Sequence, residues 1–116
     1  MTGQEKTAGI MEQAPVTIFV FNTEGKHLAE PRTAEELRRD VINIQSIGAS
    51  IQNMLLAAHD MGIGSLWIGH VFSAYDELCE WLGEGGQMIA TVSFGYSDVI
   101  PEAKPRKPVS EVTRRL

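Results

Sequence analysis

The feature that most constrains the fold is a long amphipathic stretch between Thr33 and Met61. Thr33 and Glu36 have the spacing of a capping box, in which two side chains satisfy free backbone N–H groups where a helix begins. Apolar residues then recur at spacings of three and four along one stripe, as on one face of a helix. They are Ile44, Ile47, Ile51, Met54 or Leu55, Ala58 and Met61. The stretch predicts helix over residues 33–61.

Two glycines predict where the helical stretch ends, and two polar residues leave its continuity open. Gly62 and Gly64 follow the stripe directly, and glycine readily adopts the left-handed conformation that ends many helices. Asp40 or Asn43 could cap a second helix within the stretch. The residues alone are therefore compatible with one helix or with two.

Small residues make the predicted helix thin on several sides. They are Gly48, Ala49, Ser50, Ala57 and Ala58. Small side chains allow another element to approach closely, although a glycine costs about 0.5–1 kcal/mol of helix propensity. A chain of 116 residues has little other protein to cover such a helix. We therefore expect a homodimer whose interface includes it.

Two segments have the composition of β-strands. Residues 15–22, "PVTIFVFN", are almost continuously β-branched and aromatic, which predicts a central strand covered on both faces. Residues 87–96, "QMIATVSFGY", alternate and predict a second strand. Two strands are too few for a stable sheet, so we expect a further strand or a partner chain to complete it.

The remaining segments predict a short helix and two irregular ends. Ser73 and Asp76 form a cap-like pair before "YDELCEWL", and Gly83 predicts the end of that helix. Residues 1–13 are expected to be a polar, disordered or frayed lead-in. Residues 98–116 are punctuated by proline and predict an extended arm that packs on something else.

The charge of the chain argues against nucleic-acid binding. The formal net charge is −5 and the pI is about 5.1, whereas binding to nucleic acid needs an excess of Lys and Arg. The charge is uneven, because the segment from Lys104 to the end carries a local charge of +4 and the rest carries −9. A basic tail on an acidic body is either solvated charge or a contact for an ionic partner.

The single cysteine and the lack of apolar spans predict a cytoplasmic protein. Cys79 has no second cysteine with which to form an internal disulfide. Glu77 and Glu80 flank it, and neighbouring negative charge disfavours a nucleophilic thiolate. The N-terminus lacks the apolar core of a signal peptide. Residues 41–58 are uncharged, but Asn, Gln and Ser interrupt them, so no membrane span is expected.

Neither a metal site nor a dinucleotide loop is expected from the motifs. The three histidines match no zinc spacing; they are His27, His59 and His70. "GIGS" at residues 62–65 follows a helix rather than a strand, which is the wrong context for a Rossmann loop. Trp67 and Trp81 are expected in the core.

Residues 45–69, "QSIGASIQNMLLAAHDMGIGSLWIG", strongly resemble the nitroreductase family of FMN-dependent NAD(P)H oxidoreductases. Three further stretches agree with that family in order and spacing. They are "APVTIFVF" at 14–21, "FGYSD" at 94–98 and "KPRKPVSEV" at 104–112. The combination is specific to the family, whereas each stretch alone is not.

The resemblance implies an α+β fold that dimerises through its long helix and binds FMN between the subunits. Its sheet would be rich in antiparallel pairs and packed on the helix. The main chain after the helix would run beside the flavin ring, with N–H groups facing N5 and O4. The cofactor-binding residues implied here are Trp67, Ile68, Gly69 and His70. Glycine permits this approach because no Cβ intervenes.

The same resemblance assigns a role to two basic residues near the C-terminus. Lys104 and Arg106 match the pair that grips the FMN phosphate in the family, and charge-assisted hydrogen bonds to a phosphate are strong. No residue is assigned a catalytic role, because the flavin itself carries the chemistry.

One part of the family pattern is missing from this sequence. Family members begin with a helix carrying an Arg-x-Ser-x-Arg motif, and nothing before Ala14 resembles it. Residues 14–116 therefore resemble a nitroreductase domain without its N-terminal portion. At about 1.5–3 kcal/mol for each charged hydrogen bond, losing two arginine contacts would weaken FMN binding roughly 10²–10⁴-fold.

Three functions are compatible with these observations. The resemblance implies an FMN-dependent oxidoreductase that takes a hydride from NAD(P)H and reduces a nitroaromatic or quinone-like acceptor. The missing motif suggests instead a non-catalytic dimeric remnant with weak FMN binding or none. The basic, proline-spaced tail suggests a small interaction module that docks on a partner chain.

Overall fold

A computed structural model describes residues 2–116, in which helices surround a small sheet. The helices are α1 (Gly3–Gln13), α2 (Ala34–Asp60), α3 (Tyr75–Leu82) and the single turn α4 (Val109–Val112), with a 3₁₀ segment at His70–Ala74. The strands are β1 (Val16–Lys26), β2 (Gly64–Ile68) and β3 (Gly86–Gly95). This composition confirms the predicted α+β class.

The strands form one antiparallel sheet in the order β1-β3-β2. β3 pairs with β1 starting from Val16 opposite Phe94. It pairs with β2 from Gly64 opposite Gly95 to the end of that strand. The strand that comes last in the sequence is therefore the central one.

The prediction that residues 15–22 form a central, covered strand is wrong. β1 lies at an edge of the sheet, and Val16 and Ile18 are 51% and 39% exposed. A strand with two apolar faces needs cover on both, but the pattern does not reveal whether the same chain supplies it. Within residues 2–116, the apolar side chains of β1 are only partly covered by other elements.

The third strand meets the expectation that a further strand completes the sheet. It is β2, which lies in the glycine-rich segment after the long helix. Gly64 lies so close to β3 that a Cβ there would stand 3.0 Å from the carbonyl oxygen of Gly95. Glycine at this position therefore serves strand pairing, and β2 is the strand that the sequence analysis lacked.

α2 is one unbroken helix of 27 residues. Thr33 Oγ1 accepts a hydrogen bond from the Glu36 N–H at 3.1 Å, and Glu36 Oε2 accepts one from the Thr33 N–H at 2.8 Å. Beyond the helix, Gly62 has a φ of +75°. Both predicted ends are confirmed, and the choice between one helix and two is resolved in favour of one.

Two apolar clusters pack on the sheet. The first is Ile68, Val71, Tyr75, Cys79 and Met88, and the second is Ile51, Ala90 and Val92. Phe19 and Phe21 of β1 pack against the first cluster, whereas Val20 packs against the second. Since successive strand residues point to opposite faces, the clusters lie on opposite faces of the sheet. α2 covers the second face, and the 3₁₀ segment and α3 cover the first.

The stripe on α2 is only partly covered by this chain. Ile51 and Ala58 are buried, while Ile44 and Met61 are 38% and 70% exposed. Further apolar side chains of the helix are exposed; they are Leu37, Val41, Ile42 and Leu56. Within residues 2–116, none of the helices combines the length and the apolar character needed to cross a membrane.

The expectation of a frayed lead-in over residues 1–13 is wrong for residues 3–13, which form α1; Met1 lies outside the described residues. The Thr2 side chain accepts a hydrogen bond from the Glu5 N–H, and the Glu5 carboxylate accepts one from the Thr2 N–H. This is a second capping box with the same spacing as the one at Thr33. Met11 packs against the first apolar cluster and anchors the helix.

The predicted cap before α3 is also wrong, although its end at Gly83 is confirmed by a φ of +69°. Ala74 occupies the N-cap position of α3 and makes no side-chain hydrogen bond to the helix. The hydroxyl of Ser73 is instead used within the 3₁₀ segment, where it donates to the carbonyl oxygen of His70. Because the 3₁₀ segment extends to Ala74, α3 begins one residue later than the expected cap predicts.

The two tryptophans are not buried by this chain, contrary to prediction. Trp67 is 41% exposed and Trp81 is 74% exposed. The indole of Trp67 lies 3.5 Å from the point where a Cβ on Gly48 would stand, so a small residue of α2 faces it. Trp81 meets Phe19 edge to face, with ring centroids 6.1 Å apart. Both rings lie at the margin of the core rather than within it.

A buried polar cluster joins the start of α2 to the sheet. Asp40 Oδ2 accepts a hydrogen bond from Gln87 Nε2 at 2.9 Å, and Gln87 Oε1 accepts one from Asn22 Nδ2 at 3.0 Å. Arg32 Nε lies 3.2 Å from Asp40 Oδ2 as an ion pair, without the alignment of a hydrogen bond. Asp40, Gln87 and Asn22 are 6%, 1% and 3% exposed. These four residues form the Asp40 cluster.

Tyr75 ties α3 to the central strand. Its hydroxyl donates to the carbonyl oxygen of Gly86 at 3.3 Å and accepts from the Met88 N–H at 3.1 Å. Burial raises the pKa of the Tyr75 phenol above its ordinary value of 10.0, although the bond from the Met88 N–H acts in the opposite direction. The phenol is therefore neutral in the folded chain at pH values where an unfolded tyrosine ionises.

The raised pKa predicts a loss of stability at alkaline pH. Because the folded pKa is above the unfolded one, this contribution is complete below pH 10.0 and is lost as the pH rises through the folded pKa. Urea unfolding between about pH 9 and pH 11 should show this fall, and Tyr75→Phe should remove its Tyr75 component. Tyr96→Phe is the matched control, since Tyr96 is 84% exposed. Equal pH dependence in the two variants contradicts the prediction.

Candidate functional site

A cleft opens where β2 ends. Its volume is about 330 Å³, and its lining residues are Thr7, Leu66, Trp67, Ile68, Gly69 and His70. Four of the six residues expected at the cofactor therefore line one cavity, contributed by the end of β2 and the turn after it. Ile68 is 2% exposed and fixes this segment to the first apolar cluster.

The floor of the cleft is open main chain. Gly69 has φ −100° and ψ −15°, a conformation available to any residue, so its glycine is not required by the turn. A Cβ placed on Gly69 would meet no atom within 4 Å. The missing side chain instead leaves space above the peptide plane, where a flat molecule could approach the backbone.

His70 forms one side of the cleft and contacts α1. Its Nδ1 lies 3.0 Å from Thr7 Oγ1. Next to it, Gln4 Nε2 donates to Ser73 Oγ at 3.2 Å. The first helix is thus joined to the cleft segment by two polar contacts.

Thr7 is a residue of the site that was not predicted from the sequence, because residues 1–13 were expected to be frayed. A signal was available, since Thr2 and Glu5 have the capping-box spacing that was used for α2. That pattern predicts a helix start, but no local pattern predicts that the helix would lie against His70. Contacts between residues 63 positions apart depend on the fold.

The two basic residues expected at a phosphate are not part of this cleft. Lys104 and Arg106 are exposed and lie between β3 and α4, in a segment without helix or strand. Neither is among the lining residues. Within residues 2–116, no carboxylate forms an ion pair with either side chain. Their charges remain available to an anion.

No metal centre was found in the part of the chain that the structure describes. Among residues 2–116, no group of three or more His, Cys, Asp or Glu side chains is placed to hold a metal ion. The chemistry available at the cleft is that of backbone amides, aromatic and apolar surface, one hydroxyl and one imidazole.

Solved structures share this fold. A nitroreductase-like family protein from Bacillus cereus matches with a TM-score of 0.71 and 23% identity, over 100% of this chain and 62% of its own. Nitroreductase A from Vibrio parahaemolyticus RIMD 2210633 matches at 0.72 and 22%, over 99% and 55%. A nitroreductase from Desulfovibrio desulfuricans, solved in complex with FMN, matches at 0.61 and 21%, over 98% and 85%. The fold is therefore the nitroreductase-like α+β fold.

Sequence comparison identifies the family itself. The model of the Nitroreductase family matches residues 2–96, and the chain belongs to this family. An NADPH-flavin oxidoreductase from Vibrio harveyi is 37% identical over 67 residues, which are 56% of this chain and 28% of that protein. The matched part of the chain thus spans about a quarter of the length of the Vibrio harveyi protein. The chain spans 62% of the Bacillus cereus structure and 55% of the Vibrio parahaemolyticus structure.

Proposed function

We propose that this chain is an FMN-dependent oxidoreductase that transfers a hydride from NAD(P)H to nitroaromatic or quinone-like acceptors. The observation that carries the proposal is the open main chain at Gly69, on the floor of a cleft beside the end of β2. Membership of the nitroreductase family supports it, as does the similar structure solved with FMN.

The lining residues suit the ring of a flavin. Backbone N–H groups at Ile68, Gly69 and His70 would bind its polar edge, and Trp67 would provide apolar surface. Bound FMN would supply the hydride transfer, which the protein's side chains do not perform themselves. The chain's own contribution is to orient the ring, exclude water from one side and stabilise charge at the polar edge.

A homodimer is part of the proposal. The chain exposes 9045 Å², whereas a compact monomer of this mass exposes about 6,300 Å². Its radius of gyration is 16.5 Å, against about 13 Å for a compact domain of this length. The excess area is of the order that one subunit loses in an obligate dimer. The exposed apolar side chains of α2 provide a surface for this contact.

If the protein is a homodimer, its mass in solution should be twice that of one chain, and a charge placed in the interface should lower that mass. Sedimentation should give twice the chain mass of 12.8 kDa. Ile42→Glu should shift the protein towards single chains, because Ile42 is 64% exposed on α2 and a charge in an apolar interface is costly. Leu116→Glu, at the fully exposed C-terminus, should leave the mass unchanged. A single-chain mass for the unaltered protein contradicts the dimer.

Flavin retention tests the proposed function directly. The purified protein should keep a yellow flavin band after incubation with FMN and dialysis, and should then oxidise NAD(P)H in the presence of a quinone. Riboflavin, which lacks the phosphate, is the matched ligand control and should be retained less well. A colourless protein without FMN-dependent NAD(P)H oxidation would defeat the proposal.

The alternative is a non-catalytic dimer with weak FMN binding. Lys104 and Arg106 do not line the cleft of their own chain, and this alternative would apply if they did not reach the cleft of the partner subunit either. Retention of FMN with turnover excludes this alternative.

We also retain the cytoplasmic location as a proposal, since Cys79 is buried as a free thiol.

A further inference from the structure

Thr7 makes two contacts that together determine where a proton lies. Its Oγ1 donates to the carbonyl oxygen of Gly3 at 2.9 Å, one turn earlier in α1. The same oxygen lies 3.0 Å from Nδ1 of His70. A hydroxyl has a single proton, so it can donate to only one of these two partners.

The Gly3 carbonyl decides between the two arrangements. A carbonyl oxygen can only accept, so a contact of 2.9 Å with Thr7 Oγ1 is favourable when the hydroxyl proton lies between them. If the hydroxyl donated to His70 instead, two oxygens without a proton between them would face each other at that distance. With the proton on Nδ1, the chain from His70 through Thr7 to Gly3 has one donor at each step.

The imidazole is also held in place by the surrounding backbone. A Cβ on Gly3 would stand 3.3 Å from Cε1 of His70, so α1 lies directly against the ring. The contact between Gln4 and Ser73 fixes the same helix to the 3₁₀ segment that carries His70. Within residues 2–116, the side-chain hydrogen bonds of His70 involve Thr7 alone, no ion pair includes His70, and Nε2 has no partner.

We propose that Thr7 holds neutral His70 with its proton on Nδ1, so that Nε2 is the atom that takes up and delivers protons in the cleft. His70 would then act through its side chain on an acceptor whose reduction requires a proton, such as a quinone. Thr7 is a positioning residue, since it acts through His70. This role for the side chain rests on the proposed function and extends it beyond the main-chain contact at the same residue.

The proton balance of the reaction requires a second proton, which His70 is placed to deliver. Two-electron reduction of a quinone adds two protons; one arrives with the hydride that originates from NAD(P)H, and the second comes from Nε2–H of protonated His70. The new O–H bond forms on the acceptor oxygen as the Nε2–H bond breaks, which leaves neutral imidazole. A proton from the solvent then returns to Nε2, so that each quinone reduced consumes one solvent proton. A positioned general acid of this kind contributes about 10²–10⁴-fold to a rate.

The position of the proton can be measured without flavin. Two-bond ¹H–¹⁵N spectra of the histidine-labelled chain, recorded where imidazoles are neutral, distinguish a protonated ring nitrogen from a bare one. His70→Gln assigns the signals, because His27 and His59 are also present. We expect protonated Nδ1 and bare Nε2 at His70. Protonated Nε2 in the unaltered chain overturns the proposal.

Two substitutions test whether Thr7 is the cause. Thr7→Val keeps the shape but removes the hydroxyl, and it should raise the ratio of the Nε2–H to the Nδ1–H form roughly 2- to 10-fold, the worth of one hydrogen bond. Thr7→Ser keeps the hydroxyl and should retain the Nδ1–H form. An unchanged ratio in Thr7→Val overturns the assignment of Thr7.

Turnover tests the delivery of the proton. Ferricyanide accepts an electron without a proton, so we compare the rate with a benzoquinone to the rate with ferricyanide in the FMN-loaded protein. His70→Gln should lower this ratio roughly 10²-fold, whereas a loss of FMN alone lowers both rates together. An unchanged ratio overturns proton delivery by His70. If the protein does not retain FMN, the proposed function fails and so does proton delivery by His70. The position of the proton on His70 is measured without flavin and does not depend on that result.

Discussion

Asp40→Ala should lower the free energy of unfolding by about 3–5 kcal/mol, the cost of breaking a buried charged pair by removing one partner. Asp40 is 6% exposed and is the acceptor for Gln87 Nε2 and the counter-ion of Arg32. Its removal leaves the Arg32 guanidinium without its counter-ion and the amide N–H of Gln87, which is 1% exposed, without its acceptor. The measurement is urea unfolding at a fixed protein concentration, because dimerisation would shift the midpoint.

Two controls separate the cluster from a general effect of losing a carboxylate. Asp60→Ala makes the same chemical change at the exposed end of α2 and should alter stability by no more than about 0.5 kcal/mol. Asp40→Asn keeps an oxygen for Gln87 but loses the charge, so its effect should lie between the other two. A loss below about 1 kcal/mol in Asp40→Ala would show that the charge is solvated in solution.

The double variant Lys104→Ala, Arg106→Ala should weaken FMN binding by roughly 10²–10⁴-fold. Each charged hydrogen bond to the phosphate contributes about 1.5–3 kcal/mol, and about 1.4 kcal/mol corresponds to a tenfold change in affinity. Both side chains are exposed and carry no ion-pair partner within residues 2–116, so nothing in the described chain compensates their charge. Flavin fluorescence titration at fixed ionic strength measures the effect.

The tail itself offers a matched control for this variant. Arg114→Ala, Arg115→Ala removes the same charge from the same segment, at residues to which the family resemblance assigns no role. It should change FMN affinity little. Riboflavin affinity should be insensitive to both variants, because riboflavin has no phosphate. Equal losses in the two double variants would indicate non-specific attraction by a basic tail, and an altered oligomer with unaltered FMN affinity would favour the docking-module function.

Local patterns predicted both ends of α2 and the end of α3, although the capping-box spacing before α1 was not used. Thr33 and Glu36 fixed the start of α2, and Gly62 and Gly83 fixed the ends of two helices. These features depend on residues that are within one or two helical turns of each other, so they can be recognised from the sequence alone. The predicted cap at Ser73 was wrong, because the Ser73 hydroxyl makes its hydrogen bond within the 3₁₀ segment and not to α3.

The sheet and the site depended on contacts between distant residues. The apolar run of β1 indicated two covered faces, but the order of the strands placed it at an edge. The family resemblance predicted that the segment from Trp67 to His70 binds the cofactor; these four consecutive residues line the cleft, and their role stays a prediction. Thr7 could not be assigned to the cleft, because its contact with His70 is a product of the fold.

The position of β3 has a consequence for how the polypeptide is made. Within residues 2–116, both outer strands pair only with β3, which ends at Gly95 and leaves the ribosome after the other two strands. Until then β1 and β2 have no backbone partner in their own molecule, and their apolar side chains remain accessible to water and to chaperones. The sheet must therefore close by long-range pairing late in synthesis, which favours slow folding.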